Sequence, residues 1–517
     1  MRRFGAKPTV WSFTLGILVC LFLTPAAAPA APTGQVVYAS SYNIFYQKGG
    51  DPATHAGGQG PLISTTVFEG LIDLAVNLNV IPSIAKSWKI APDWSYVDFD
   101  LKEGVKFHNG DPVTAEDVKF SFETHMRPEL RQVLGVGYKT SIKSIEVINP
   151  HKVRFHLNMP SPNLWKRLWW NGAIMPKKYR EKVGDDGFAD KPIGSGPFKW
   201  VDYKQDQYFT MEAVPNHHRK TPEFKTLKII YVPEHATRLA MLKAGEADII
   251  QLVGPHIPQV KADPNLKLIQ VKHMLGTTLA YCDLMFPEEK SPFLDIRVRE
   301  AASLAIDRKG ICDKVLFGGS EPWGEALSPY TMGFDPTVKP DPYDPAKAKK
   351  LLAQAGYPNG FTTTINTTPQ NKYWIEAVAA NLADVGIKAE IKIWEGGSWF
   401  DAHRGKKLRG LITRNSWYDA EQNAGADLQD GYMEGMPWAY VTTKEISDTL
   451  KRCIAVRDDK EATEWGRKLS KVIRESRINI HLFSAHANYA VNHRILQWDQ
   501  QLGSFPATRF EYMKVKN

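Results

Sequence analysis

Cysteine is scarce in this chain of 517 residues, which has four, and one of them, Cys20, lies in an apolar segment near the start. Cys282, Cys312 and Cys453 cannot all pair with one another, and none has C-x-x-C spacing. This excludes a disulfide-rich scaffold and a cysteine metal or redox motif. We expect buried free thiols, with a Cys282–Cys312 bridge as the alternative.

Motifs of common catalytic sites are also missing. The chain has no G-x-S-x-G, P-loop, H-E-x-x-H or Rossmann glycine pattern. His481, His486 and His493 are spaced by five and seven residues, which does not place them on one face, and the adjacent His217 and His218 predict a turn. We therefore predict a protein that is not an enzyme and has no cofactor and no metal site.

Long blocks of one charge are absent as well. The formal net charge is +9, three of these charges belong to the first 30 residues, and no Lys/Arg block marks a nucleic-acid surface. We expect no binding to nucleic acid. The length predicts roughly three domains.

An apolar run does occur near the start, from Trp11 to Leu23, after three cationic residues. It is shorter than the roughly 20 residues that a membrane-spanning helix needs, and small residues follow it at Ala28 and Ala30. This pattern is typical of a signal peptide, so we predict that residues 1–30 are cleaved and that the product is periplasmic without a lipid anchor.

Periodicity predicts an α/β fold. Residues 227–252 and 362–393 each have the pattern of a strand, an amphipathic helix ended by a glycine (Gly245 and Gly386), and a second strand. A further helix should begin at Asp344.

The segment from Ala85 to Ser121 predicts strands, a turn and a helix. Tyr96, Phe99 and Leu101 alternate with polar residues, and we expect the strand to continue over 105–107. Thr114 and Asp117 have the spacing of a capping box.

This segment resembles the signature region of the dipeptide/oligopeptide-type solute-binding proteins, family 5, cluster C. The matching residues are Trp88, Asp93, Tyr96, Gly104, Val105 and Phe107. A similar piece precedes it at 68–71 and others follow at 192–198 and 295–301, in the order that the family has, so that the resemblance covers Tyr38 to Phe483.

The resemblance implies a class II periplasmic binding protein fold, with two hinged α/β lobes and an extra α+β domain. The expected parts are 31–75 with 191–290 and 483–517 as lobe I, 76–190 as the extra domain II, and 291–482 as lobe III. It also implies the function: capture of a small organic solute by hinge closure and delivery to an inner-membrane ABC permease with its ATPase. We expect a monomer.

Two segments that leave predicted strands carry candidate ligand-binding residues, because ligands bind at strand ends in α/β lobes. With two aromatic residues after the first strand, the candidates are Tyr42, Phe45, Trp399, Arg414, Trp417, Tyr418, Asp419 and Trp438. In peptide-binding members the equivalents of Trp417 and Asp419 hold the peptide, with the carboxylate on its amino terminus. Pairing of Asp419 with Arg414, and core packing of the tryptophans, are the structural alternatives.

The spacing Trp-x-Asp departs from the family's Trp-x-x-Asp, so the ligand class stays open. A short peptide or amino-acid conjugate is favoured, and an oligosaccharide or nickel complex is the alternative. Two other classes are a hydrolase using Glu421 and Asp427 as acid and base, and a peptide-handling chaperone without a transporter.

Overall fold

The structure is a computed structural model that describes most of the chain after residue 31. The described residues are 32–41, 49–54, 60–127, 138–139, 141–158, 164, 168–169, 172–417, 423–436, 438–456, 458–500 and 509–516. The predicted signal peptide lies outside them. Residues 32–517 form one compact unit. In the described part, no helix is both long enough and apolar enough to cross a membrane.

Strands and helices alternate along much of the chain. The strands are β1 (Gln35–Ser40), β2 (Ile72–Leu74), β3 (Val80–Pro82), β4 (Ala85–Ile90), β5 (Tyr96–Leu101), β6 (Ile142–Asn149), β7 (Lys152–Leu157), β8 (Phe198–Lys204), β9 (Tyr208–Ala213), β10 (Thr226–Tyr231), β11 (Ile249–Gln251), β12 (Leu266–Tyr281), β13 (Ser320–Pro322), β14 (Phe361–Thr367), β15 (Ile387–Ile393), β16 (Leu411–Trp417), β17 (Asn479–Asn492), β18 (Ile495–Gln497) and β19 (Lys514–Val515). The α-helices are α1 (Gly60–Ser64), α2 (Ala115–His125), α3 (Lys177–Asp190), α4 (His235–Ala244), α5 (Ile257–Ala262), α6 (Ile296–Leu304), α7 (Arg308–Gly310), α8 (Pro345–Gln354), α9 (Lys372–Asp384), α10 (Gly396–Arg404), α11 (Ala424–Tyr432), α12 (Lys444–Ala455) and α13 (Asp459–Ser476).

Eleven strands of the described chain join one mixed sheet. Their order is β15-β14-β16-β12-β17-β11-β1-β10-β9-β8, with β13 paired to β17. The antiparallel strands β12 and β17, of 16 and 14 residues, lie in its middle and connect its two halves. Their register shifts between Val271 and Leu275, where His273 has a φ of +54°. Such a bulge bends the strands locally.

Both predicted strand–helix–strand units are confirmed. β14 and β15 are parallel neighbours joined through α9, and β10 and β11 flank β1 in parallel and are joined through α4. Gly245 and Gly386 have φ of +75° and +97°, a conformation that ends each helix at little steric cost. The Asp344 carboxylate caps α8 by accepting from the Lys347 N–H at 2.8 Å.

A separate antiparallel sheet, β4-β5-β7-β6, packs against α2. The rings of Phe99, Phe122 and Phe155 fill the space between them, with centroids 4.9 and 5.3 Å apart. The Asp117 carboxylate accepts from the Thr114 N–H at 2.9 Å, as the predicted cap requires. The predicted strand over 105–107 is wrong, because a tight turn pairs the Phe107 N–H with the Asp111 carbonyl instead.

The three described cysteines are free and buried, as expected. Burial raises the pKa of Cys312 and of Cys453 to about 12, so both thiols stay protonated and unreactive at neutral pH.

Candidate functional site

A small polar cavity lies where β12, β16 and β17 run side by side. The residues that line it are Gly276, Thr277, Thr278, Trp323, Glu325, Ala326, Ser416, Tyr432 and His481. They come from the three strands, the segment after β13, and α11. In the described conformation the walls of the cavity leave no room even for a water molecule, so a solute can enter only in a more open conformation.

Strand register aligns three polar residues across the sheet. Thr278 on β12 lies opposite Arg414 on β16 and opposite His481 on β17. Directly opposed residues of antiparallel strands point to the same face. Arg414 therefore belongs to the same row as the two cavity residues beside it.

The Arg414 side chain packs against helix α11. The guanidinium carbon lies 4.0 Å from the centroid of the Tyr432 ring, a cation–π contact. A Cβ atom added to the neighbouring Gly431 would overlap this guanidinium, so the absence of a side chain there makes room for it. The Tyr432 hydroxyl accepts from the Asn479 amide at 2.7 Å.

His481 is neutral at physiological pH. Burial lowers its pKa to about 4, and the positive charges of Arg308 and Arg414 act in the same direction. Its backbone carbonyl accepts from Nε of the buried Arg308 at 2.6 Å, and that guanidinium also donates to the Ser303 carbonyl at 3.0 Å. Arg308 thus ties β17 at the cavity to the end of α6.

Glu325 contributes a buried carboxyl group to the cavity wall, with only 2% of its surface exposed. Its Oε1 accepts from the N–H groups of Ala326 and Leu327, at 2.8 and 3.3 Å, and from the Ser470 hydroxyl. Its Oε2 is buried and has no hydrogen-bond partner among the described residues. Burial raises the pKa of this carboxyl group, with a smaller contribution from the negative Asp335.

None of the predicted ligand-binding residues that the structure describes is among those that line this cavity. Arg414 stands beside it, and Trp417 is the last residue of β16, with its backbone opposite Leu275. Trp399 and Trp438 are not among the lining residues; both rings pack on His403, at centroid distances of 5.1 and 4.7 Å.

The remaining predicted residues, Tyr42, Phe45, Tyr418 and Asp419, lie outside the described residues. A role for any of the eight in ligand binding stays a prediction.

Sequence reasoning did not name Glu325 or Tyr432, and it considered His481 only as a metal ligand and predicted against that role. Glu325 has one local signal, an acid placed between Trp323 and a run of small and apolar residues. Tyr432 and His481 have none, because only strand pairing and helix packing bring them to the cavity.

An α/β protein with a polar cavity on two long central strands has the architecture of a hinged binding protein. Residues 79–428 match the family model for bacterial extracellular solute-binding proteins, family 5, middle part. The chain therefore belongs to this family, and it is the solute-binding component of an ABC importer rather than an enzyme.

Individual relatives differ in what they bind. The chain is 30% identical over 380 residues to heme-binding protein A of Haemophilus influenzae, covering 68% of each chain. It is 29% identical over 420 residues to di/tripeptide-binding protein 1 of Pseudomonas aeruginosa, covering 75% of this chain and 76% of the relative.

Solved structures share the fold. DppA of Helicobacter pylori in complex with the peptide STSA matches with a TM-score of 0.81 and 24% identity, over 94% of this chain and 99% of that one. NikZ of Campylobacter jejuni in complex with Ni(L-His) matches with a TM-score of 0.78 and 21% identity, over 93% and 98%. They support the class II fold with two hinged lobes and an extra domain.

Proposed function

We propose that this protein captures a short peptide or an amino-acid conjugate and delivers it to an inner-membrane permease with a cytoplasmic ATPase. The observation that carries the proposal is the cavity, which has the Glu325 carboxyl group in its lining and the Arg414 guanidinium stacked on another lining residue, Tyr432. Groups of opposite charge suit a solute that itself carries both charges. The di/tripeptide-binding relative supports the same class.

A nickel complex of an amino acid is the second candidate. His481 presents a neutral imidazole at the cavity, and a neutral imidazole can bind a transition metal. The match to NikZ supports this alternative. An oligosaccharide is the third, and it rests on the tryptophans alone.

Hinge closure would occur about β12 and β17. The bulge at His273 places a bend in β12 beside the cavity, between the two halves of the sheet. A ligand shifts such an equilibrium only if it binds the closed state more tightly than the open one.

The lobe boundaries are part of the proposal. The parts are 31–75 with 191–290 and 483–517, then 291–482, and the extra domain 76–190. Separate hydrophobic clusters support the division: one contains Val36 and Tyr489, another contains Ile365 and Leu411, and a third lies under the four-stranded sheet.

Export and assembly complete the proposal. We propose that residues 1–30 form a cleavable signal peptide, that the product acts in the periplasm, and that it is a monomer without affinity for nucleic acid. Amino-terminal sequencing of the purified protein should begin at residue 31. A sedimentation experiment should return the mass of a single chain.

Ligand identity is best tested by native mass spectrometry of protein purified gently from periplasm, followed by denaturation and identification of the released molecule. We expect a peptide or an amine-bearing amino-acid conjugate. A released sugar would contradict this ligand class and direct attention to the tryptophans. If the purified protein is empty, it should be screened by thermal shift against di- and tripeptides, sugars and nickel–histidine. A response to sugars alone would also contradict the peptide ligand class.

A further inference from the structure

The contacts of Glu325 within the protein do not explain why this position has an ionisable carboxyl group. The three donors, Ala326 N–H, Leu327 N–H and the Ser470 hydroxyl, all meet Oε1. They join the segment after β13 to α13, which accounts for an acceptor at this position. A neutral glutamine would offer the same acceptor oxygen, so these contacts do not require a negative charge.

The second carboxyl oxygen of Glu325, Oε2, has no contact that explains its burial. Oε2 is buried, and among the described residues it has no hydrogen-bond partner. No Lys, Arg or His of the described chain forms an ion pair with Glu325, and the nearby Arg414 stacks on the Tyr432 ring. A buried carboxylate with an open oxygen is costly unless a cation or a hydrogen-bond donor meets it.

Such a partner can come from the cavity when a more open conformation makes room for it. Glu325 lines it together with Thr277, Tyr432 and His481, none of which carries a positive charge at neutral pH. A protonated amine entering the cavity would supply both the charge and the hydrogen bond that Oε2 lacks.

We propose that Glu325 is the residue that binds the cationic group of the transported solute, a primary ammonium or a guanidinium, through Oε2. This inference rests on the proposed function and narrows it to solutes that carry such a group. It assigns to Glu325 a role that family resemblance had predicted for Asp419.

The test measures binding by isothermal titration calorimetry with matched peptide probes. One set has a free amino terminus, such as Ala-Ala. A second set is N-acetylated and carries no cation. A third set is N-acetylated but ends in a lysine or arginine side chain. We expect wild-type protein to bind members of the first or third set and to bind the second set at least tenfold more weakly.

Substitution then tests the residue. Glu325→Gln keeps the acceptor for the three donors and removes the charge, and we expect it to weaken binding of the cationic probes at least tenfold. Glu434→Gln removes an equal charge from an exposed position just after α11 and should bind as wild type does. Asp419→Asn, tested in parallel, should have the smaller effect.

The outcomes separate the two proposals. The role of Glu325 is overturned if the cationic probes and the uncharged acetylated probes bind equally well. It is also overturned if Glu325→Gln binds the cationic probes as wild type does. Either result leaves the proposed function standing. Binding of no peptide at all overturns both. Circular dichroism checks the fold of each variant. If Glu325→Gln does not fold, equal binding of cationic and uncharged probes by wild-type protein would still overturn the role of Glu325.

Discussion

Two buried glutamates in this molecule have opposite surroundings. Glu69 and Glu325 are 1% and 2% exposed. Glu69 accepts from the Ser195 hydroxyl at 3.1 Å and has His218 at 3.3 Å and Arg219 at 3.9 Å. Burial alone would raise its pKa, but His218 and Arg219 outweigh burial and lower it to about 2. Burial raises the pKa of Glu325, and no cation of the described chain lowers it.

The contrast separates a structural carboxylate from one available to a ligand. Glu69 has its counter-charges within the protein, and it joins the segments around Ser195 and Arg219. Each glutamate has one oxygen without a hydrogen-bond partner among the described residues, but only Glu325 also lacks a described cation within about 4 Å. Two equally buried carboxyl groups therefore have pKa values shifted in opposite directions, and the charges within about 4 Å decide the direction.

The surroundings of Glu69 also refine an expectation about His217 and His218. The turn predicted there is present, and Asn216 has a φ of +55°. The two rings converge, with centroids 4.4 Å apart, and both lie within 4 Å of the Glu69 carboxylate. Adjacent side chains diverge in regular strands, but a left-handed residue before them permits this arrangement.

The largest expected effect is on the structural carboxylate. Glu69→Gln leaves the buried Arg219 without one of its counter-charges and should reduce the free energy of unfolding by about 3–5 kcal/mol. Urea denaturation measures it, with Glu123→Gln on the exposed face of α2 as the control. A loss below about 1 kcal/mol would mean that Asp73 and Glu511 suffice for Arg219.

The pH dependence should differ in sign between the two glutamates. Because the folded-state pKa of Glu69 lies near 2, below its ordinary 4.5, its contribution is present above pH 4.5 and is lost as pH falls toward 2. The loss should be about 3 kcal/mol in wild type relative to Glu69→Gln. Glu325, with a raised pKa, contributes most below pH 4.5 and loses its contribution as pH rises. Unfolding series of both variants from pH 2 to 7 measure this, and parallel curves would contradict it.

A smaller effect is expected at Arg414, which stacks on the cavity residue Tyr432. Gly431→Ala should displace the Arg414 side chain and reduce stability by about 1–3 kcal/mol through overpacking. Solute affinity should fall as well. In the background of Arg414→Ala the same substitution should cost little, because the overlapping group is gone. An equal cost in both backgrounds would show that the clash lies elsewhere.

The smallest expected effect on stability is at Glu325 itself. Glu325→Gln should change the free energy of unfolding by about 1 kcal/mol or less at pH 7, because the three donors keep an acceptor and a buried charge is removed. Thermal unfolding measures it. A large loss would indicate that the charge stabilises the fold, and the contrast with Glu69 would disappear.

Much of the local structure was predictable because its causes are local. Gly245 and Gly386 end helices, Asp344 begins one, and the Thr114–Asp117 pair forms the cap that its spacing indicates. The site was less predictable. Arg414 was predicted from its position near a strand end, and its role stays a prediction. Glu325 has no comparable local signal, because its hydrogen-bond partner Ser470 is 145 residues away.

The sequence by itself determined the family, the order of strands and helices, and the absence of common catalytic motifs, because alternation, caps and glycines act over a few residues. Tertiary structure alone decided which groups share the cavity. The row of Arg414, Thr278 and His481 exists only through the pairing of distant strands. It also decided the charge state of each buried group, because a pKa depends on burial and on neighbouring charges that the chain brings together only by folding.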